Sequence, residues 1–294
     1  MLEHRGLNAS GKWDAVREKI EESACSILCL QETKKEHFDS HFISNFALRR
    51  FDSFEYIPSL GASGGILVAW NGSHFSGLVI DRQHFAITIE FTSRHTMESW
   101  KLTTVYGPCT EPDRSNFITW FSAHQIADDD NWLFLGDFNF CRSLQDRNRE
   151  GGNLQDTLIF SEAIGELGLV ELPLKGKAYT WSNMQANPLL EQLDLFFSSV
   201  NWTQSYPNTL VLPMAKITSD HIPCKVMIDT KIPRSNIFRF ENFWTQHDGF
   251  MELVQDTCNR LTNKTDAATI LTEKSKALDM PFGSGARVYL TSKV

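Results

Sequence analysis

The chain has 294 residues, 41% of them hydrophobic and 22% charged, and its formal net charge is −8. This composition predicts a folded protein of one large or two ordinary domains, and it excludes fibrous and wholly disordered classes. It also excludes a membrane-spanning helix, because no apolar run approaches the roughly 20 residues that cross a bilayer.

Short apolar runs alternate with turn signals along the chain, which predicts a mixed α/β protein. In chain order, we predict strands at residues 26–30, 64–70, 85–91, 100–106, 132–135, 193–197 and 224–228. Apolar residues recur at helical spacing within residues 13–20, 117–124 and 160–167. Several of the strands are continuous apolar runs, as inner strands are, so helices are expected to flank the sheets.

The pattern changes near residue 230, where Pro233 and Ser235 resemble a linker at 229–237. We therefore predict one domain over residues 1–229. Residues 230–294 are expected to form a linker and a C-terminal tail that is partly helical, around 249–261, or poorly ordered.

The cellular location is predicted from the cysteines and from the start of the chain. The six cysteines are scattered without CxxC spacing, which favours reduced thiols over a disulfide framework or a zinc site. The start, MLEHRGLNAS, lacks the apolar core of a signal peptide. We therefore predict an intracellular protein that is neither secreted nor bound to a membrane, and whose oligomeric state is open.

Polar side chains stand where several of the predicted strands end. The run NWLFLGDFNF, residues 131–140, is apolar until it reaches Asp137 and Asn139. Other candidates follow the same pattern: Gln31 and Glu32 in LCLQET, Tyr106 in VYGP, Asp194 in LDLFFSS, and Asp220 and His221 in SDHIP. Each position alone is typical of turn chemistry, but together they predict one site at one end of a sheet.

Metal-dependent hydrolysis of a phosphodiester requires these residue types. A hard divalent cation prefers carboxylate oxygens, a phosphate needs cationic or hydrogen-bonding partners, and the attacking water needs an acceptor. The candidate residues supply all three. The acidic net charge does not exclude a nucleic-acid partner, because a bound cation reduces the negative charge of such a site.

In this order, LCLQET, VYGP, GDFN, LDLFFSS and SDHIP resemble the endonuclease/exonuclease/phosphatase superfamily. YTWSN at 179–183 and FRFENFW at 238–244 are similar to the endonuclease region of plant LINE-type, non-LTR retrotransposons, which is related to apurinic/apyrimidinic endonucleases. The resemblance implies a four-layer α/β sandwich in which two facing mixed β-sheets are flanked by helices. It also implies an endonuclease that acts on DNA, uses Mg²⁺ or alternatively Mn²⁺, needs no small-molecule cofactor, and has the nucleus as one candidate compartment.

The resemblance assigns roles to the matching residues. Glu32 would be a metal ligand, and Asp220 would help to complete the metal site. Asp137 would orient and activate the attacking water, while Asn139 and Tyr106 would contact the phosphate.

His221 would stabilise the charge that grows on the phosphate, and Asp194 would orient His221. A neighbouring carboxylate favours the imidazolium form that this role requires. Trp181 is more typical of a core residue than of a base-stacking platform. A basic cluster follows GDFN and either contacts a nucleic-acid backbone or lies in a solvated loop: Arg142, Arg147 and Arg149.

The beginning of the chain departs from the family pattern, whose first strand ends in a motif like WNxRG with an Asn in the metal site. Aligned on Arg5 and Gly6, Leu2 and Glu3 replace the Trp and the Asn. The expected result is a chain truncated at both ends, without most of the first strand and without a following reverse transcriptase. A noncatalytic remnant of a retroelement endonuclease is therefore the alternative function, and a phosphatase or phospholipase of the same superfamily is a weaker one.

Overall fold

The structure is a computed structural model, and it describes residues 2–3, 7, 10–61, 63–216, 219–228 and 250–259. The chain divides into two compact units, Met1–Lys231 and Ile232–Val294. In the second unit the described residues form one helix, close to the helical stretch predicted at 249–261, whereas the predicted linker lies largely outside the described residues. Within the described part of the chain, no helix is both long and apolar enough to cross a membrane.

The strands of the first unit are, in chain order, β1 (Leu2–Glu3), β2 (Ile27–Gln31), β3 (Ser53–Ile57), β4 (Ile66–Trp70), β5 (Phe75–Gln83), β6 (Ala86–Ser93), β7 (Ser99–Tyr106), β8 (Trp132–Asp137), β9 (Val170–Glu171), β10 (Trp181–Ser182), β11 (Leu190–Glu191), β12 (Asp194–Ser198), β13 (Leu210–Pro213) and β14 (Cys224–Met227). The helices are α1 (Ser10–Ser23), α2 (Ser40–Ser44), α3 (Asp113–Ser122), α4 (Leu154–Glu166), α5 (Val200–Ser205) and α6 (Phe250–Asn259), with a 3₁₀ turn at Leu144–Asp146.

The fold is built on two larger mixed sheets. The first has the strand order β1-β2-β4-β3, and its β1–β2 pair is parallel. The second has the order β5-β6-β7-β8-β12-β9, and its β7–β8 pair is parallel while the other pairs are antiparallel. The pairs β10–β11 and β13–β14 form two small antiparallel sheets.

Side chains alternate between the two faces of each strand, and the buried apolar ones form three cores. In β8, Leu133 and Leu135 point into a core that also contains Val68 of the opposite sheet, so the two larger sheets pack face to face. Phe134 points the other way, into a core shared with α3 and α4, while α1 and α2 pack on the outer face of the four-stranded sheet. The result is the predicted four-layer sandwich, with helices outside two facing mixed sheets.

The seven strands predicted from the sequence are present, with ends shifted by one or two residues. The strands that were not predicted are the short β9, β10, β11 and β13 and the longer β3 and β5. Strands β3 and β5 lie at the edge of a sheet, and β5 alternates between exposed and half-buried residues around Gly77, so neither forms a continuous apolar run. Residues Leu2–Glu3, where most of a strand was expected to be missing, pair with β2 in parallel.

Candidate functional site

Three adjacent strands bring Tyr106, Asp137 and Asp194 into one row. Asp137, at the end of β8, stands directly opposite Tyr106 of β7 and opposite Asp194 of β12. Leu135 of β8 and Phe196 of β12, each two positions away, lie in the core between the sheets, and Tyr106 packs against that core, so the three side chains point toward the facing sheet. Asp137 is 2% exposed and Asp194 is fully buried, so this end of the sheet holds two carboxylates away from bulk water.

His221 is joined to this row through Asp194. The imidazole Nδ1 donates to Asp194 Oδ2 at 2.9 Å, and His221 is 7% exposed. Thr180 forms hydrogen bonds with both the segment that carries Asp194 and the segment that carries His221. Its hydroxyl accepts from the Asp194 main-chain N–H at 3.0 Å, and its carbonyl accepts from the Ile222 N–H at 2.8 Å. The imidazole is therefore held in one orientation by a buried carboxylate.

Asn139 lies two residues beyond Asp137 and connects the loops that follow β7 and β8. Its main-chain N–H donates to Asp137 Oδ1 at 2.9 Å, and its side-chain Nδ2 donates to the Gly107 carbonyl at 2.7 Å. Its φ of 55° lies in the left-handed region, which Asn tolerates better than most residues. A Cβ on Gly107 would stand 1.9 Å from the Phe138 carbonyl oxygen, so the close approach of the two loops requires glycine.

Glu32 lies on the facing sheet, and the strand directions place it at the same end. Trp70 pairs with Ile27, at the start of β2, and its ring lies 5.3 Å from that of Phe91. Phe91 in turn pairs with Trp100, near the start of β7. Farther along both strands, Thr104 Oγ1 of β7 donates to Cys29 Sγ of β2 at 3.4 Å. Strands β2 and β7 therefore run in the same direction across the interface, and Glu32 follows the end of β2.

Gln31 projects into the space between the sheets at that end, and the sequence analysis gave it no role. It occupies the same face of β2 as Cys29, whose Sγ accepts from Thr104 Oγ1 at 3.4 Å. Gln31 is fully buried, and among the residues that the structure describes neither its Oε1 nor its Nε2 has a hydrogen-bond partner; Asp194 Oδ1 is likewise buried without one there. Because unsatisfied buried polar atoms are costly, these atoms are candidates for water or ligand contacts.

Asp220 is half-buried beside His221 and is fixed by its neighbours. Its Oδ2 accepts from Trp181 Nε1 at 3.3 Å, and its carbonyl accepts from Lys216 Nζ at 3.0 Å. The prediction that Trp181 is a core residue is wrong: the indole is half-buried and lines a cavity next to Asp220.

The donors at this end fit a hard divalent cation. Glu32, Asp137 and Asp220 offer carboxylate oxygens, and Asn139 offers an amide. Among the residues that the structure describes, no group of three or more His, Cys, Asp and Glu side chains is placed to hold a metal ion. Mg²⁺ needs only one or two protein carboxylates, because water and phosphate oxygens complete its coordination, so the open arrangement suits it.

A cavity of 220 Å³ lies on the Asn139 side of the site and is lined by Arg114, Arg147, Cys141 and Glu191 among others. Burial, and then the charges of Glu191 and Asp146, raise the pKa of the Cys141 thiol to about 12, so this cysteine is not a thiolate at neutral pH.

Each arginine of the predicted basic cluster forms an ion pair or a hydrogen bond with another group of the protein. Arg142 pairs with Glu171, Arg147 Nη1 lies 3.2 Å from Glu191 Oε1, and Arg149 donates to the main-chain carbonyls of residues 187 and 188. The paired carboxylates weaken the interpretation of this cluster as a backbone-binding surface.

Comparison with known proteins adds to this geometry. The sequence pattern of the endonuclease/exonuclease/phosphatase family matches residues 7–221. A transposon TX1 protein of 149 kDa from Xenopus laevis, described as uncharacterized, is 25% identical over 174 residues. The match covers 56% of this chain but only 13% of that protein, so the chain spans a small part of its relative.

Solved structures share the fold. The AP endonuclease LMAP from Leishmania major has a TM-score of 0.59 at 17% identity, over 76% of this chain and 85% of that one. The endonuclease domain of TRAS1, a telomere-specific non-LTR retrotransposon, has a TM-score of 0.56 at 12% identity, over 78% and 98%. The catalytic domain of Xenopus laevis APE2 has a TM-score of 0.54 at 14% identity, over 76% and 89%.

Proposed function

The chain belongs to the endonuclease/exonuclease/phosphatase family, and from that premise we propose that it is a divalent-metal-dependent endonuclease that hydrolyses phosphodiester bonds of DNA. The observation that carries the proposal is the row of Tyr106, Asp137 and Asp194, with His221 bonded to Asp194 at 2.9 Å. An enzyme that acts on DNA must be located where DNA is present, and the nucleus is a candidate compartment.

The proposed mechanism assigns water activation to Asp137, which orients the water and accepts its proton. Asn139 and Tyr106 donate hydrogen bonds to the phosphate. Glu32 and Asp220 would hold the divalent cation, which would supply positive charge to the phosphate oxygens. The main-chain N–H of Asn139 fixes one oxygen of Asp137 at 2.9 Å, so the carboxylate is oriented before substrate arrives.

His221 and Asp194 complete the proposed mechanism. A protonated imidazole beside the phosphate stabilises the negative charge that grows in the transition state. Asp194 compensates the charge of the imidazolium and keeps Nδ1 engaged, which directs the opposite edge of the ring toward the substrate. These two roles agree with the complete burial of Asp194 and the small exposure of His221.

The experiment that tests the proposal is nicking of supercoiled plasmid by the purified chain. We expect nicked circles with Mg²⁺ or Mn²⁺ and none in EDTA, because the carboxylates at the site repel a polyanion until a cation compensates them. Excess Mg²⁺ added after EDTA should restore nicking. Cleavage that persists after exhaustive chelation would reject the mechanism.

The alternative, a noncatalytic remnant, is favoured by Glu3, which stands where the family pattern has an Asn in the metal site. A carboxylate accepts hydrogen bonds but cannot donate them as an amide does. A remnant would retain the fold and show no metal-dependent nicking at any Mg²⁺ concentration. A phosphatase or phospholipase would instead release phosphate from small esters or phospholipids and leave the plasmid supercoiled.

Gln31 should show opposite effects on stability and on activity. In EDTA, Gln31→Leu is expected to raise the free energy of unfolding by about 1–3 kcal/mol, because it removes a buried amide that has no hydrogen-bond partner within the described part of the chain. Nicking should fall in the same variant if the amide serves the site. Denaturant unfolding and plasmid nicking measure the two effects, and Gln125→Leu, at an exposed position, is the control. A loss of stability together with full nicking would contradict this role.

A further inference from the structure

Two exposed histidines lie side by side at the end of the sheets opposite to the proposed catalytic residues. His74 lies in the turn between β4 and β5, and His95 lies in the turn between β6 and β7. The centroids of their imidazole rings are 5.7 Å apart, and the ring planes are inclined by 59°. Strand β7 begins after the turn that carries His95 and ends at Tyr106, so its length separates the pair from the proposed active site.

Hydrogen bonds hold the two turns together. The Arg94 main-chain N–H donates to the His74 carbonyl at 2.8 Å, and Arg94 Nε donates to the Gly72 carbonyl at 2.7 Å. Within the second turn, the His95 N–H donates to Ser93 Oγ at 3.3 Å. The backbones of the two histidines are therefore fixed relative to each other, and a ligand shared by both rings needs to restrict only their side chains.

Ser26, just before β2, contacts one of the two rings. Nδ1 of His74 lies 3.1 Å from Ser26 Oγ, and the Ser26 carbonyl accepts from the Asn71 N–H at 2.9 Å. When Nδ1 donates to this hydroxyl, the free lone pair of the ring is on Nε2. Histidines that bind metal ions almost always have their second nitrogen bonded in this way, which fixes the tautomer and the orientation of the ring.

The spacing of the rings fits one metal ion bound by both. Zn–N bonds are about 2.0–2.1 Å long, so two imidazoles bound tetrahedrally to one ion have centroids roughly 5–6 Å apart. The separation of 5.7 Å lies in this range. Imidazole suits Zn²⁺, Cu²⁺ and Ni²⁺, whereas Mg²⁺ prefers oxygen ligands. Within the described part of the chain no third His, Cys, Asp or Glu joins the pair, so water would complete the coordination.

The charged groups around the pair have both signs. Arg94 is cationic, whereas Glu98 in the same turn is anionic, and Asp52 Oδ1 accepts from the Gly72 N–H at 2.8 Å. These three charged residues are exposed, so solvent and salt screen their effect on a bound cation. The bonds between the imidazole nitrogens and the ion therefore decide the affinity.

We propose that His74 and His95 bind one divalent transition-metal ion such as Zn²⁺, and that Ser26 positions His74. The ion bridges the β4–β5 and β6–β7 turns and stabilises the folded chain, because only the folded state brings the two imidazoles together. This site is independent of the proposed function, since its ligands are imidazoles and it lies at the other end of the sheets.

Calorimetric titration of the full chain with Zn²⁺ tests the site. Saturating Mg²⁺ occupies carboxylate sites, and any Zn²⁺ bound by cysteines is common to all variants. We expect His74→Asn and His95→Asn each to bind one Zn²⁺ fewer than the wild type, because a single imidazole holds the ion weakly. His41→Asn, at an exposed position in α2, is the matched control and should bind as many as the wild type. Equal numbers for the wild type and His95→Asn would overturn the inference.

Two further measurements test the role of Ser26 and the bridging of the turns. Ser26→Ala should keep the number of Zn²⁺ ions but weaken the affinity of this site by about 10–100-fold, as losses of such hydrogen-bond partners do. An unchanged affinity would remove Ser26 from the site. Zn²⁺ should also raise the Tm of the wild type and of His41→Asn by more than that of His74→Asn. An equal rise in all three would show that no ion bridges the turns, and would overturn the inference.

Discussion

Asp137→Asn should abolish detectable nicking, with a loss of at least about 10²–10⁴-fold, because an amide cannot accept the proton of the attacking water. The variant should still fold. The amide oxygen can accept from the Asn139 main-chain N–H as the carboxylate does at 2.9 Å, and the substitution removes one of two neighbouring buried charges. Plasmid nicking and thermal unfolding measured on one preparation separate the two effects.

The control for Asp137→Asn is Asp129→Asn, the same chemical change at an exposed position outside the site. This variant should keep wild-type nicking and stability. Wild-type rates in Asp137→Asn would remove this residue from the mechanism and would point to a contaminating nuclease as the source of the nicking.

His221→Asn should reduce nicking by about 10²–10⁴-fold with little change in stability. An Asn side chain can place its Nδ2 near the position of the imidazole Nδ1, so the hydrogen bond to Asp194 at 2.9 Å can be kept, but the side chain cannot become cationic. His221→Ala is a poorer variant, because it leaves Asp194 buried without its imidazole partner, which costs about 3–5 kcal/mol for a buried pair.

A double-mutant cycle tests whether Asp194 acts through His221. Asp194→Asn alone should reduce nicking, and the combination with His221→Asn should be little worse than either single variant, because residues that act as one unit are not additive. Independent, multiplying losses would show that Asp194 has a separate role. His41→Asn, at an exposed position, is the control and should nick at the wild-type rate.

The strands near the centre of the sheets could be predicted from the sequence because both their faces are buried. Strand β4 and the first four residues of β8 are continuously apolar, which makes them recognisable in the sequence without any knowledge of their neighbours. The edge strands β3 and β5 could not be predicted in the same way. Their stability comes from pairing with a neighbouring strand that lies elsewhere in the chain, and local patterns do not record such pairing.

The sequence by itself determined the family, the four-layer fold and the residue types at the strand ends, because hydrophobic periodicity and ordered motifs are local properties of the chain. Only the tertiary structure decided that Glu32 lies at the same end as Asp137, since that depends on the shared direction of two strands in different sheets. It also decided that Gln31 is buried without a hydrogen-bond partner among the described residues and that Trp181 lines a cavity rather than the core. Burial and hydrogen-bond satisfaction depend on atoms from distant segments, and these meet only when the two sheets pack together.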